Sequence, residues 1–153
     1  MLGVGTEWLL LHRLNPDIFL DGHAALRVRD VRTVKVLSST SFAARALKHY
    51  GDEPQGPGRV DLTSLRSVIE SLSRRFPLIT IHTELRDPAV CYVGVQVGIT
   101  PKGLRLREIT PEARWEDEPT TYPLSDITRV EIGGRYEDAL LAVVGRPPRV
   151  GRD

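Results

Sequence analysis

The chain has 153 residues, and its 21 lysines and arginines nearly balance its 20 acidic residues, giving a net charge of +1. This balance weakens the case for a nucleic-acid partner held by bulk electrostatics. A single cysteine, Cys91, excludes an intramolecular disulfide and a thiolate-rich zinc site. The apolar run Trp8–Leu11 is too short to span a membrane, so we expect a cytoplasmic protein with neither signal peptide nor membrane contact.

An internal repeat is the strongest pattern in the chain, because residues 7–36 resemble residues 102–132 at low identity. The matched positions are Leu9 with Leu104, Leu11 with Leu106, Pro16 with Pro111 and, after one inserted residue, Val28–Val36 with Leu124–Ile132. We therefore predict a mainly β chain with helices (α+β), built from two related small bent-sheet or barrel units. The predicted divisions are an incomplete first unit at 1–50, a linker at 51–60, a second unit at 61–145 and a disordered tail at 146–153.

Two helices are predicted before the middle of the chain. Ser41 is a suitable N-cap for a helix that reaches Tyr50, and Gly51 can end it. A second helix is predicted from Asp61, which we interpret as its N-cap, to a stop at Pro77. Its apolar residues recur at spacings of three and four, which is typical of an amphipathic helix. These residues are Leu62, Leu65, Val68, Ile69 and Leu72.

Strands are predicted in the second half of the chain. Residues 78–84 and 90–97 form a hairpin around a turn at 86–89, and residues 104–109 follow with apolar residues close to every second position. A further strand over 123–132 is expected to bend near Asp126 and to end at two glycines, residues 133 and 134. Residues 136–144 fit either a short helix or a last strand.

A helix followed by about five short strands resembles the small β-barrels of the Sm-like and SH3-like group. The resemblance rests on this order of elements, on Gly94 inside the second strand and on the stretch Ile132–Arg135, which is similar to an Arg-Gly signature of that family. It implies a bent five-stranded sheet and, for the Sm-like members, RNA binding. The Asp/Asn signature that the RNA-binding members carry after the second strand has no counterpart in this sequence.

The first unit lacks the two strands that precede the repeat in the second unit. We hypothesise that strand 78–84 or a partner subunit fills this gap. Trp8 and Leu10 also indicate a covered face. The second unit has Gly103 and Arg105 at these positions, so a face that is not apolar there is apolar in the first unit. Three interpretations stay open: burial inside one fused core, an interface between subunits, or a groove for a ligand.

Candidate polar sites are few. His82 and Glu84 are two residues apart on one predicted strand, and Cys91 follows across the hairpin. Such a set could bind a metal or activate a nucleophile, although structural roles also explain it. A candidate nucleic-acid face is formed by alternating arginines on two predicted strands, although a solvated face paired with acids also explains it. These arginines are Arg27, Arg29, Arg105 and Arg107.

The leading hypothesis is a non-enzymatic interaction or assembly protein, with a protein partner or self-association into a homo-oligomer. We assign it no catalytic residue, no metal and no cofactor. The alternative is RNA binding of the Sm-like kind through the arginine-bearing faces. A third hypothesis is a small metal- or thiol-dependent enzyme that uses His82, Glu84 and Cys91.

Overall fold

The computed structural model describes residues 1–147, in which eight antiparallel strands form one sheet accompanied by three α-helices. The strands are β1 (Gly3–Val4), β2 (Trp8–Leu14), β3 (Leu20–Arg27), β4 (Ile79–His82), β5 (Cys91–Thr100), β6 (Gly103–Glu108), β7 (Thr120–Tyr122) and β8 (Arg129–Ile132). The helices are α1 (Phe42–Tyr50), α2 (Leu65–Ser73) and α3 (Arg135–Val144). The prediction of a mainly β chain with helices is confirmed.

Strands from both halves of the chain share the sheet, in the order β1-β2-β3-β8-β4-β5-β6-β7. β3 pairs with β8, so that Ala25 lies opposite Val130. The open edge predicted for the first unit is therefore occupied by β8. Residues 78–84 do not fill it, because β4 pairs with β5 and β8 instead. A sheet shared in this way does not establish the finer prediction of two barrel-like units.

Residues 31–36 differ from the segment that the repeat matches to them. Their counterparts at 127–132 include β8, whereas residues 31–39 have no regular structure and follow a short 3₁₀ turn at Val28–Asp30. β3, the strand that precedes them, has no free edge for these residues, because β2 and β8 already pair with it. The stretch with β-strand composition is thus left outside the sheet.

Helix α2 covers one face of the sheet. Leu65, Val68, Ile69 and Leu72 are buried, as their spacing predicts. The helix begins three residues later than predicted, because Ser64 and not Asp61 is its N-cap, and the Ser64 side chain accepts the N–H of Ser67. Asp61 instead accepts the N–H of Thr63. Just before the cap, the carbonyl of Leu62 accepts the N–H of Trp8, which ties this segment to β2.

Trp8 and Leu10 lie in the core beneath α2, where they pack with Ile69, Leu106 and Val130. Both are buried within the chain. Their apolar face is therefore covered by the chain's own helix, as in the interpretation of one fused core. A partner subunit would have to contact other residues.

Several local predictions agree with the structure. Ser41 caps α1 by accepting the N–H of Ala44, and Gly51 ends it with a left-handed φ of 73°. Residues 136–144 belong to a helix, α3, which Gly134 precedes as N-cap. The strand predicted over 123–132 is shorter, since residues 124–126 form a turn before β8. The predicted linker contacts the sheet through Gln55, whose N–H reaches the His12 ring. Residues 148–153 of the predicted tail lie outside the described residues.

None of the helices within residues 1–147 has the length and apolar character needed to cross a membrane.

Gly94 and Gly98 provide a matched test of strand packing, because both lie in β5. A Cβ at Gly94 would collide with the backbone of Arg107 and Glu108, whereas a Cβ at Gly98 would meet nothing within 4 Å. We expect Gly94→Ala to lower the free energy of unfolding by about 1–3 kcal/mol. Gly98→Ala should change it by less than about 0.5 kcal/mol. Urea unfolding measures both, and equal losses would contradict the close approach of β5 and β6.

Candidate functional site

Polar side chains occupy the centre of the sheet on the face opposite α2. Ile79 and Ile81 of β4 pack in the core with α2, so Thr80 and His82 point to the other face. The same alternation directs Glu131 of β8 toward that face. Thr80, His82 and Glu131 are all buried. Buried polar groups require partners, so their contacts define what this cluster can do.

Glu131 is the centre of the cluster. Its Oε2 accepts a hydrogen bond from Nη1 of Arg13 at 2.7 Å and lies 3.6 Å from Nε2 of His82. Its Oε1 lies 3.2 Å from Nε of Arg129. The carboxylate is thus held between two guanidinium groups from strands β2 and β8. A negative charge here is neutralised inside the protein.

His82 connects Glu131 to Arg129. Nη2 of Arg129 lies 3.1 Å from Nδ1 of His82. Arginine can only donate hydrogen bonds, so Nδ1 is the acceptor and the ring proton of neutral His82 lies on Nε2. That proton faces Glu131 across 3.6 Å. The ring therefore serves as a bridge between two partners that are already paired.

Glu84 contacts the cluster from the turn after β4. Its Oε2 accepts a hydrogen bond from Thr128 at 2.7 Å, and its Oε1 lies 3.6 Å from Arg129. Cys91 lies directly opposite His82 in the β4–β5 register. The structure thus brings His82, Glu84 and Cys91 to one end of the β4–β5 pair, as the sequence indicated.

Arg13, Arg129 and Glu131 lie beside the predicted residues His82, Glu84 and Cys91. In this cluster the positive charges of the two arginines neutralise the negative charge of Glu131. Within residues 1–147, the His, Cys, Asp and Glu side chains form no group of three or more that could hold a metal ion. Sequence reasoning missed Arg13 and Glu131, which are 118 positions apart and meet only because β2, β3 and β8 are neighbours. The alternation of Arg129, Val130, Glu131 and Ile132 was the available signal.

Two pKa shifts follow from this arrangement. Burial alone would raise the pKa of Glu131, but the nearby His82 ring and the charges of Arg13 and Arg129 outweigh that effect and lower it. Cys91 is exposed as a residue, yet partial burial of its thiol, and the nearby charges of Glu131 and Glu137, raise its pKa. A nucleophilic cysteine requires the opposite shift. The cluster thus lowers the pKa of the carboxylate and raises the pKa of the thiol.

The four predicted arginines lie in two separate places. Arg27 and Arg29 line one groove near the N-terminus of α2. Arg105 and Arg107 lie on β6, four strands from β3 in the sheet order. Arg107 is buried and donates to the carbonyl of Asp117, whereas Arg105 is exposed. A single arginine face across the sheet is not formed by these residues, and RNA binding stays a prediction.

Comparison of the chain with models of known protein families, with curated proteins and with solved structures finds no match. The resemblance to the Sm-like and SH3-like barrels therefore stays a prediction.

Glu131→Gln tests the neutralisation of the cluster. Replacing the carboxylate leaves Arg13 and Arg129 without their shared anion, and we expect a loss of about 2 kcal/mol in the free energy of unfolding at pH 7. The folded-state pKa of Glu131 lies below the ordinary value of 4.5, so the difference from wild type should be full above that pH. It should vanish as the pH falls through the lowered pKa. Urea unfolding from pH 7 down to pH 3 measures this.

Glu70→Gln is the matched control, because Glu70 lies 3.7 Å from Arg66 on the exposed surface of α2. Its loss should stay below about 0.5 kcal/mol. A Glu131→Gln variant as stable as this control would show that the cluster contributes nothing to the fold.

The reactivity of Cys91 tests the thiol. Because the pKa of Cys91 is raised, less thiolate is present at neutral pH than in an unfolded chain. We expect a chromogenic disulfide reagent to react more slowly with the folded protein than with the protein in urea at the same pH. A faster reaction in the folded state would favour the thiol-dependent enzyme instead.

Proposed function

We propose that this chain is a non-enzymatic assembly protein that self-associates through residues 31–50, a segment that we call the arm. The observation that carries the proposal is the exposure of apolar side chains along the arm. Val36 is 87% exposed and Phe42 is 74% exposed, and Val34, Leu37 and Tyr50 are exposed as well. Clusters of exposed apolar side chains are typical of surfaces that bind another molecule.

Helix α1 has the geometry of a recognition helix. It contains no buried residue, although it is capped at both ends by Ser41 and Gly51. Phe42, Ala46 and Tyr50 are spaced four residues apart, so they lie along one side of the helix. Together with Arg45 and His49 they line an open depression on the surface of α1. Amphipathic helices that dock into a groove present anchors at such spacings. The helix therefore offers a formed surface to a partner.

The charge of the arm favours an acidic partner. Residues 31–50 contain four basic residues and no acidic residue. Residues 112–118 of the same chain contain four acidic residues and one arginine, and all five are exposed. This acidic segment precedes β7, an edge strand that presents unpaired backbone groups. A second copy of the chain thus carries a surface complementary to the arm.

The polar cluster supports a non-enzymatic role. Glu131 is engaged by two arginines, and Glu84 is engaged by Thr128 and Arg129. Because both carboxylates are neutralised inside the chain, the cluster is better suited to joining strands than to transferring protons.

The test is the double variant V36D/F42D, measured by light scattering of protein separated by size, at low and at high salt. Both side chains are exposed, so the fold should be unaffected. We expect wild type to be an oligomer at both salt concentrations, because burial of apolar area contributes most of the binding. The variant should be a monomer, because two new negative charges would lie in an apolar contact facing acidic residues.

The matched control is L85D/V143D, because Leu85 is 77% exposed and Val143 is 75% exposed, and both lie outside the arm. This variant should assemble like wild type. A monomeric wild type, or equal loss of assembly in both variants, would contradict the proposal. A peak with high absorbance at 260 nm that loses its nucleic acid at high salt would favour the RNA-binding alternative.

A further inference from the structure

A groove of about 640 Å³ opens between β3 and the N-terminus of α2. Three arginines, Arg27, Arg29 and Arg66, line it, against one acidic residue, Glu7. Its apolar walls come from Trp8, Val28, Leu65 and Leu124. A concave site with apolar walls and a few converging polar groups is typical of sites for small molecules. Neither the polar cluster nor the arm contributes to it.

Arg27 lies in the wall of this groove, and two of its three guanidinium nitrogens donate hydrogen bonds within the chain. Its side chain is only 7% exposed. Nε donates to Asp30 at 2.6 Å, and Nη1 donates to the carbonyl of Ser125 at 3.1 Å. Within residues 1–147, the buried Nη2 has no hydrogen-bond partner. Leaving a buried charged donor unpaired is costly, so a ligand oxygen that reached Nη2 from the groove would be favoured.

The N-terminus of α2 contributes donors to the same groove. Its first helical backbone bond runs from the N–H of Val68 to the carbonyl of Ser64. The N–H groups of Leu65 and Arg66 precede that bond, and both residues line the groove. Helix N-termini bind anions because free N–H groups and the helix dipole point in one direction. The exposed side chains of Arg29 and Arg66 add positive charge at the rim.

We propose that this groove binds a small phosphorylated molecule, with the phosphate between Arg27, Arg29 and the N-terminus of α2. The apolar walls would hold an uncharged ring or chain attached to that phosphate. Arginine suits this role because its planar group offers two parallel donors to phosphate oxygens. This proposal does not depend on self-association, since the groove lies outside residues 31–50.

The chain offers an internal reporter, because it has two tryptophans and only Trp8 lines the groove. The experiment follows the two indole N–H signals by NMR during titration of the full chain with phenyl phosphate, inorganic phosphate and phenol at constant ionic strength. A W115F variant identifies the Trp8 signal. We expect the Trp8 signal to shift with both phosphates while that of Trp115 stays unchanged. Phenyl phosphate should bind more tightly than inorganic phosphate, and phenol should not bind.

The decisive variant is R29A/R66A, because both arginines are exposed and their loss should leave the fold intact. Its affinity for phenyl phosphate should fall by about tenfold or more. The control R74A/R114A removes the same charge from exposed arginines outside the groove and should bind like wild type.

Three results would overturn the proposal. The first is a Trp8 signal that does not move up to about 10 mM phenyl phosphate, which would mean that any binding is weaker than millimolar. The second is an equal loss of affinity in the two double variants, since net charge alone would then explain binding. The third is an oligoribonucleotide that shifts Trp8 at far lower concentration than phenyl phosphate, with affinity falling steeply in salt. That result would assign the groove to a nucleic-acid backbone.

Discussion

The pairing of β3 with β8 is the contact on which the rest of the structure depends. It joins residues 23–26 to residues 129–132 and so makes one sheet from two halves of the chain. Closing so long a loop costs conformational entropy, and the pairing must repay that cost with both ladder hydrogen bonds and side-chain packing. Ala25 and Val130, which face each other across this pair, are fully buried beneath α2. The core is continuous because this one pairing exists.

The same pairing explains why charged residues are tolerated on the opposite face. Each strand that sends an apolar residue toward α2 must send its neighbour away from it. In β8 that neighbour is Glu131, and β2 supplies Arg13 two strands away. A carboxylate in this position would be unfavourable alone, and two guanidinium groups make it acceptable. The contact between Arg13 and Glu131 thus depends on the order of the strands, since only β3 lies between β2 and β8.

Prediction from the sequence succeeded where the signal is local. The cap and end of α1 depend on Ser41 and Gly51, which act within a few residues of the helix. The amphipathic stripe of α2 depends on spacing alone, and it too was recognised. The N-cap of α2 was misplaced at Asp61, because the choice between Asp61 and Ser64 depends on a distant contact, the bond from Trp8 to Leu62. Local rules offer both residues as caps.

The candidate sites show the same limit. The sequence placed His82, Glu84 and Cys91 together, because a hairpin links them over a short distance. It could not place Arg13 beside Glu131, since the order of strands is a property of the whole chain. The repeat was also a misleading guide at residues 31–36. Those residues match the segment that contains β8, but they form no strand, and β8 itself pairs with β3.

The short turn at Val28–Asp30 connects the two proposed surfaces. Asp30 holds Arg27 in the wall of the groove through a 2.6 Å contact, and the residues that follow the turn form no strand. One structural element therefore orients the buried arginine and leads into the apolar arm. β3 ends at Arg27, one residue beyond Leu26, the last residue of β3 that pairs with β8. A ligand on Arg27 and a partner on the arm would thus act on opposite sides of the same three-residue turn, although neither requires the other.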